Sequence, residues 1–232
     1  MIRFRKGESR GHANHGWLET YHTFSFADYQ DPENMGFRSL RVINDDRVEP
    51  SEGFETHPHE NMEIVTYVIE GEIEHRDSIG NEFILRAGDV QRMTAGTGVS
   101  HSEFNPSPEK PLHLIQVWIL PEKNGLEPSY EQKRFYPEDK KNQLKLIVSP
   151  SGKNGSIKIH QDVQIYASVL PSSLTLKYEN PSGRHAWIQL VKGRMNLNGR
   201  NMKCGDGAAV SEHEKLTFES VELSEFILFD LG

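Results

Sequence analysis

Residues 53–71 read GFETHPHENMEIVTYVIEG, and in them His57 and His59 stand one residue apart in a run that reads as strand. Side chains alternate across a strand, so residues i and i+2 face the same way. The two imidazoles therefore point together. If the strand runs on without a bulge, the same parity carries Asn61, Glu63, Val65, Tyr67 and Ile69 onto that face, the last three as an apolar lining. Two titratable rings side by side are costly to bury unless something is bound between them. A lone His-x-His pair is ordinarily structural, so the reading turns on whether the chain supplies further ligands.

A second pair follows. GDVQRMTAGTGVSHSEFNPS begins at Gly88, where Gly96 and Gly98 let the backbone turn and His101 and Glu103 repeat the i, i+2 spacing. Three neutral imidazoles and one carboxylate suit Fe(II), Mn, Co, Ni, Cu or Zn. Four protein ligands leave open positions only on a metal that prefers five or six, which favours an open iron-like site over a closed tetrahedral zinc. Glu63 shares the face of His57 and His59. It competes with Glu103 for the carboxylate position, or else accepts a hydrogen bond from an imidazole N–H.

The other histidines read differently. His113, in LHLIQVWIL, is expected as a satisfied core histidine. His12, His15 and His22 lie in an aromatic N-terminal segment and serve packing or hydrogen bonding. His75, beside a hairpin, is expected to be exposed, and His160, His185 and His213 lack an i, i+2 partner. Cys204, alone, reads as a small buried apolar residue.

Around these motifs, short runs rich in Val, Ile, Phe and Tyr alternate with Gly, Pro, Asn and Asp, as in EFILRAGDV, LKLIVSP, HAWIQLVKG and SEFILFDLG. This patterning predicts an antiparallel all-β sandwich or barrel. DSIGNE, at 77–82, is a hairpin turn in which Gly80-Asn81 can supply positive φ. PEKNGLEPSYEQKRFYPEDKKNQ, at 121–143, is polar, turn-rich and without strand alternation, and separates a histidine-rich half from a histidine-poor one. MEIVTYVIEGEIEHRDSIGNEFILRAGDVQRM and HAWIQLVKGRMNLNGRNMKCGDGAAV share an order of strand, Gly, strand, turn, strand, Gly-Asp. The chain therefore reads as a duplicated barrel whose second copy has lost something. The expected domains are 1–135, with the metal, and 136–232, without it.

The 232 residues are 35% hydrophobic and 26% charged, ordinary for a soluble globular protein with a sizeable core. No apolar run approaches the roughly 18–20 residues that span a bilayer. MIRFRKGESRGHANHG has charge but no apolar stretch and does not read as a signal peptide. A single cysteine excludes an internal disulfide and fits the cytoplasm. The net charge of −8, with no basic cluster beyond KGRMNLNGRNMK, speaks against direct nucleic-acid contact.

HPHENME resembles the first cupin motif, and GDVQRMTAGTGVSHSEFN resembles the second. Together with RGHANHGWLETYHTFSFADYQDPENMGFRSLRVINDD, at 10–46, they are similar to the pirin family, and to its bacterial quercetinase-like members in particular. The resemblance is specific over residues 10–120 and weaker after 140. It implies a bicupin, two antiparallel jelly-roll barrels packed face to face with the metal in the first only. It also implies a ligand set of His57, His59, His101 and Glu103, with iron as the metal. Glu63 then occupies the general cupin glutamate position without being the ligand.

The implied activity is a quercetin 2,3-dioxygenase type of reaction on a flavonol-like substrate and O2, releasing carbon monoxide. Glu103 or Glu63 takes the substrate's hydroxyl proton, Val65, Tyr67 and Ile69 form apolar wall, and Met93 lies near the mouth. The competing reading is a non-catalytic, metal-dependent regulatory or interaction protein with unnamed protein partners.

Overall fold

The structure, a computed structural model, describes residues 1–232 apart from Glu212 and His213. The expectation for His213 therefore lies outside the described residues. Strands dominate, and the α-helix among the described residues is the single turn Pro137–Lys140. No helix is long and apolar enough to cross a membrane.

The chain forms two compact units, each of two antiparallel sheets. One comprises Gly11–Arg134 with Ile157–Gln161, and the other Met1–Arg10, Phe135–Ser156 and Asp162–Gly232. Relative to a single cut at 135/136, two short segments are exchanged. Ile2–Arg5 pairs with Gly207–Val210 in the second unit. In the first, the 157–161 segment is held by Arg92 Nε, which donates to Lys158 O (2.8 Å), and by Glu122 N, which donates to His160 O (2.7 Å).

The first unit's larger sheet runs, in hydrogen-bonded order, Ser129–Arg134, Asp89–Thr94, Glu63–Glu70, Leu112–Ile119, Leu40–Val48, Leu18–His22, Gly11–Asn14. Its partner sheet runs Gly53–His59, Val99–Phe104, Glu72–Asp77, Glu82–Arg86. Central strands are buried on both faces, as EIVTYVI is from Glu63 to Ile69. The edge strand Ser129–Arg134 carries Glu131, Lys133 and Arg134, which shield its open side. This explains why residues 121–143 lacked strand alternation in the sequence although they contain a strand. The hairpin at 77–82 forms as expected, with Gly80 at φ 97° joining Glu72–Asp77 to Glu82–Arg86.

The interior of this unit is closed at one end by Leu18, Val48, Val68, Ile73, Leu85, Leu112 and Leu114. A second cluster, Ile64, Met93, Ala95 and Val99, packs with Met62, Trp118 and Tyr130. Met93 is thus buried core and does not sit at a mouth.

In the second unit six strands pair in the order Ile2–Arg5, Gly207–Val210, His185–Lys192, Ser224–Leu231, Val163–Leu170, Lys145–Ser149. The smaller sheet runs Thr175–Glu179, Lys215–Ser220, Arg194–Leu197, Arg200–Lys203. They enclose an apolar core that includes Ile188, Leu190, Leu197, Leu216, Phe218, Phe226 and Leu228. Cys204 is exposed, against expectation: its thiol caps Val191 O (2.9 Å) in the turn after Lys203 and does not fill this core.

Candidate metal centre

The strand that carries the histidine pair stops at His59. Asn61, at φ 48°, turns the chain, and its amide donates to Gly96 O (2.9 Å). Asparagine tolerates this left-handed backbone better than most residues. The next strand, Glu63–Glu70, lies in the other sheet, so parity does not carry across. Ile64, Thr66 and Val68 face the interior. Glu63, Val65, Tyr67 and Ile69 face the opposite side, and the expectation that they line the metal cavity is corrected accordingly. Glu63 sits there beside Arg92, Thr94 and the clasping segment, with His160 Nδ1 at 3.5 Å. Burial raises its pKa, and those neighbours offset the rise only in part.

The second pair arrives by the turn at 95–98. Gly96, at φ 49°, brings the backbone so close to Leu126 that a Cβ would lie 2.0 Å from its carbonyl oxygen. Val99–Phe104 then pairs with Gly53–His59, which puts His101 directly across from His57 and Val99 across from His59. The register shifts between His101 and Glu103. On its other edge the same strand sets Glu103 across from His75.

Three imidazoles converge as a result. The ring centroids of His57 and His59 are 4.8 Å apart, those of His57 and His101 4.5 Å, and those of His59 and His101 4.9 Å. Their potential ligand atoms lie within 4.8 Å of one another. His57 Nδ1 donates to Glu55 O (2.7 Å), which leaves Nε2 with its lone pair free. Both nitrogens of His101 are buried and, among the described residues, have no hydrogen-bond partner. Burial and the neighbouring imidazoles push His59 down to about 4. Burial likewise takes His101 to about 4, against the pull of Glu103. At neutral pH both rings are uncharged, with lone pairs to give. Such a set fits a transition-metal ion.

Glu103 falls in an overlapping group with His101 and His75. Its carboxylate is fully buried and orientationally fixed. Gln91 Nε2 donates to Oε1 and Gln116 Nε2 to Oε2, both at 2.7 Å. The amides cannot be reversed. Trp118 Nε1, a donor only, bonds Gln116 Oε1 (3.1 Å), and the Tyr130 hydroxyl lies 2.9 Å from Gln91 Oε1. Burial would raise Glu103, but His75 and the imidazoles of His101 and His57 outweigh it and hold the carboxyl at about 2. The group is therefore a permanent anion.

His75, expected to be exposed, is wholly buried. Nε2 bonds Asp77 Oδ2 (3.1 Å) and Nδ1 stands 4.0 Å from Glu103 Oε1. Hairpin position misled here because the residue lies three places before the turn's tip, on the inward face. Asp77 and Glu103 raise its pKa against the effect of burial. His113 is a satisfied core histidine bonded to Asp45 (2.7 Å), and His12 stacks on Tyr21 and bonds Glu19.

His57 and His59 open onto a cavity of about 440 Å³, with His101 buried behind them. His57, His59, Glu103 and Gln116 line it together with Trp17, Phe26, Phe54 and Trp118. The volume lies within the ordinary range of small-molecule sites. His15 and His22 also border it, and His22 Nδ1 bonds Asn44 Oδ1 (2.9 Å). No spacing in the sequence marked either as a cavity residue, because His15 lies in the turn before Leu18–His22 and His22 at that strand's end, both remote in sequence from the histidine pairs.

Comparisons with known proteins agree with this architecture. The Pirin family model matches residues 3–119, and the quercetinase C-terminal cupin domain model matches residues 146–231. The chain is 49% identical over 231 residues to the quercetin 2,3-dioxygenase of Escherichia coli (strain K12), covering 100% of this chain and 99% of that one. It is 37% identical over 231 residues to the pirin-like protein of Caulobacter vibrioides, covering 99% of each. The crystal structure of YhhW from Escherichia coli matches with a TM-score of 0.96 at 48% identity, over 100% of this chain and 98% of that chain. The crystal structure of bacterial pirin YhhW in complex with nickel(II) matches at 0.94 and 48% identity, over 100% and 99%. Both halves being cupin domains, the chain belongs to the pirin family.

Proposed function

We propose that the protein is a metal-dependent dioxygenase that cleaves flavonols such as quercetin with O2, giving a depside ester and carbon monoxide. The observation that carries this reading is the convergence of His57, His59 and His101, with the Glu103 carboxylate beside them, at the edge of an aromatic-lined cavity whose wall includes His57, His59 and Glu103. Relatives named quercetin 2,3-dioxygenase along the whole chain support it.

His57, His59, His101 and Glu103 would hold the ion. Three neutral nitrogens and one anion suit Fe(II) and leave sites open on a five- or six-coordinate metal; Mn, Co, Ni, Cu and Zn are the competitors. The bound metal would acidify the flavonol's 3-hydroxyl and supply a path for electrons to O2.

The chain's own residues do the rest. Trp17, Phe26, Phe54 and Trp118 offer flat apolar surface against which a planar ring system packs and from which water is displaced. Gln91 and Gln116 keep both oxygens of Glu103 in place. Glu103 is too acidic to draw a proton from an ordinary phenol. It accepts the hydroxyl proton only once that hydroxyl has been acidified. Glu63, outside the cavity, takes no part in this transfer.

Residues 1–135 carry the site in this reading, and residues 136–232 form the metal-free partner domain. The acidic chain and its single cysteine support a cytoplasmic protein without direct nucleic-acid contacts. The test is anaerobic purification with metal analysis. Reconstitution with each candidate metal follows, with assays against a flavonol panel in which carbon monoxide is measured. Carbon monoxide formation that depends on metal and substrate is expected. Loaded protein that consumes no flavonol would sink the proposal.

A further inference from the structure

The cavity contains an acid that the metal centre does not use. Asp46 lies on the strand Leu40–Val48, across from Thr20 on one side and Leu114 on the other. It is 2% exposed and lines the cavity with Asn44, Gln116 and Glu103. Its Oδ1 is buried and, among the described residues, has no partner at good hydrogen-bond geometry, although the neighbouring Thr20 hydroxyl lies close enough to draw the carboxyl's pKa down. The adjacent Asp45 shows the contrast. It faces the other way and is bonded by His113 at 2.7 Å. Of two consecutive buried aspartates, one is satisfied by the fold and the other faces the cavity with an oxygen unused.

A buried carboxyl oxygen without a well-formed hydrogen bond costs folding free energy, and an apolar residue there would cost less. Such a local conflict is expected where function requires it. Burial pushes the carboxyl up to about 7, so it is poised to share a proton with a ligand's hydroxyl. Trp17, Phe26, Phe54 and Trp118 supply the flat apolar part of the remaining wall, so a ligand that satisfies Asp46 carries a hydrogen-bond donor on a flat apolar frame.

We propose that Asp46 is a specificity determinant of the cavity: its carboxyl accepts a hydrogen bond from a phenolic hydroxyl of the bound substrate. The inference rests on the reading of the cavity as a flavonol site, and it extends to any phenol that enters.

Trp17 and Trp118 line the cavity, so binding to the full-length, metal-loaded protein is readable as fluorescence quenching. The probes are quercetin, its mono-O-methyl ethers, catechol and the methyl ethers of catechol. The variants are Asp46→Leu, which removes the acceptor at similar size, and Asp46→Asn, which keeps a neutral one; melting curves verify that each is folded. Wild type should bind one particular methyl ether on the order of 10–100-fold more weakly than its parent, the range of a hydrogen bond to a charged group. Asp46→Leu should weaken the parent by a similar factor and leave that ether unaffected, and Asp46→Asn should fall between. If Asp46→Leu does not fold, Asp46→Asn carries the same comparison.

Equal weakening of all probes, or none, overturns the proposal. If catechol shows the coupling while quercetin neither binds nor is cleaved, Asp46 stands and the flavonol reading falls. If quercetin is bound and cleaved with unchanged hydroxyl preference in the variants, the flavonol reading stands and Asp46 falls. If no probe quenches the wild type, the proposal is overturned.

Discussion

The two barrels place different chemistry at the same register positions. Thr66 pairs across to Gln91 on one side and Gln116 on the other, and in the second unit Ile188 pairs across to Ala208 and Leu228. Glu103 faces His75, and Phe218 faces Leu197. His101 faces His57, and Leu216 faces Tyr178. At these positions each group that holds or orients a proposed metal ligand in the first barrel has an apolar or aromatic counterpart in the second, whereas Asp46 has a polar one. Asp46, opposite Leu114, corresponds to Ser168, opposite Phe226.

The shared frame shows that neither strand order nor turn geometry makes the site. The second interior is filled with Leu, Ile, Met and Phe, and contributes stability through close packing. The first leaves both nitrogens of His101 and an oxygen of Asp46 without hydrogen-bond partners among the described residues, where the second leaves the smaller hydroxyl of Ser168. An interior of that kind costs folding free energy until something binds it. Duplication would allow one copy to carry that cost while the other remains a plain core.

The largest break in this comparison is a crossed pair of truncations. His101→Ala removes a nitrogen that no neighbour replaces and should abolish metal binding, as should His57→Ala and His59→Ala. Glu103→Gln, which keeps size but removes the charge, should also leave the protein metal-poor. Leu216→Ala, at the corresponding place, should leave metal content unchanged and cost about 2–5 kcal/mol of stability in urea unfolding. Metal analysis beside an unfolding curve separates the two outcomes. A metal-poor Leu216→Ala with native stability would mean that the second barrel takes part in binding.

Much of this asymmetry was legible in the sequence. The histidine pairs, the strand-turn rhythm and the histidine-poor second half all follow from local spacing. What was not legible depended on which sheet a strand joins. Parity predicted Glu63 in the cavity because nothing in ENM announces that the chain changes sheets at Asn61. His75, Gln91, Gln116 and Asp46 come from four different strands, and only long-range pairing brings them around Glu103 or into its cavity. The edge strand at 129–134 was hidden by its own polarity, which suits a strand with one open side.

A second break concerns pH. Asp46 ionises near 3.8 in an unfolded chain and near 7 in the fold, where burial opposes its charge. Between those values the unfolded chain releases a proton that the folded one retains. The contribution of Asp46 to stability should therefore fall as pH rises from about 4 to about 7 and stay lowered above, while His59 and His101 act in the opposite sense over the same range. Asp46→Asn removes the Asp46 contribution alone. In metal-free protein its advantage over wild type should grow across that window, to at most about 4 kcal/mol. Parallel unfolding curves for the two proteins at any pH would contradict the buried carboxyl.

A third sharpens the role of the amides. Gln116→Leu copies into the first barrel what Leu228 does in the second, leaving Glu103 Oε2 without its donor and Trp118 Nε1 without its acceptor. Metal should still bind, on the order of 10–100-fold more weakly, as for other groups that orient a ligand. Isothermal titration with Ni(II) would measure it. Unchanged affinity would show that the imidazoles alone position Glu103.

The smallest effect is expected at Glu63, where spacing and structure disagree most. Its carboxylate lies on the far side of the large sheet, among Arg92, Thr94 and His160. Glu63→Gln keeps the shape and most hydrogen bonds. It removes a charge that burial disfavours but that Arg92 and His160 partly compensate, so the two contributions nearly cancel. Stability should move by no more than about 1 kcal/mol. Because burial raises the pKa of Glu63, wild-type stability declines as pH rises above the ordinary glutamate range, and the variant should lack that part of the decline. Metal content should equal that of wild type, whereas Glu103→Gln should be depleted. Metal analysis of the two purified variants decides between the carboxylates. A metal-free Glu63→Gln beside a fully loaded Glu103→Gln would place the ligand on the strand that the turn at Asn61 directs away from the imidazoles.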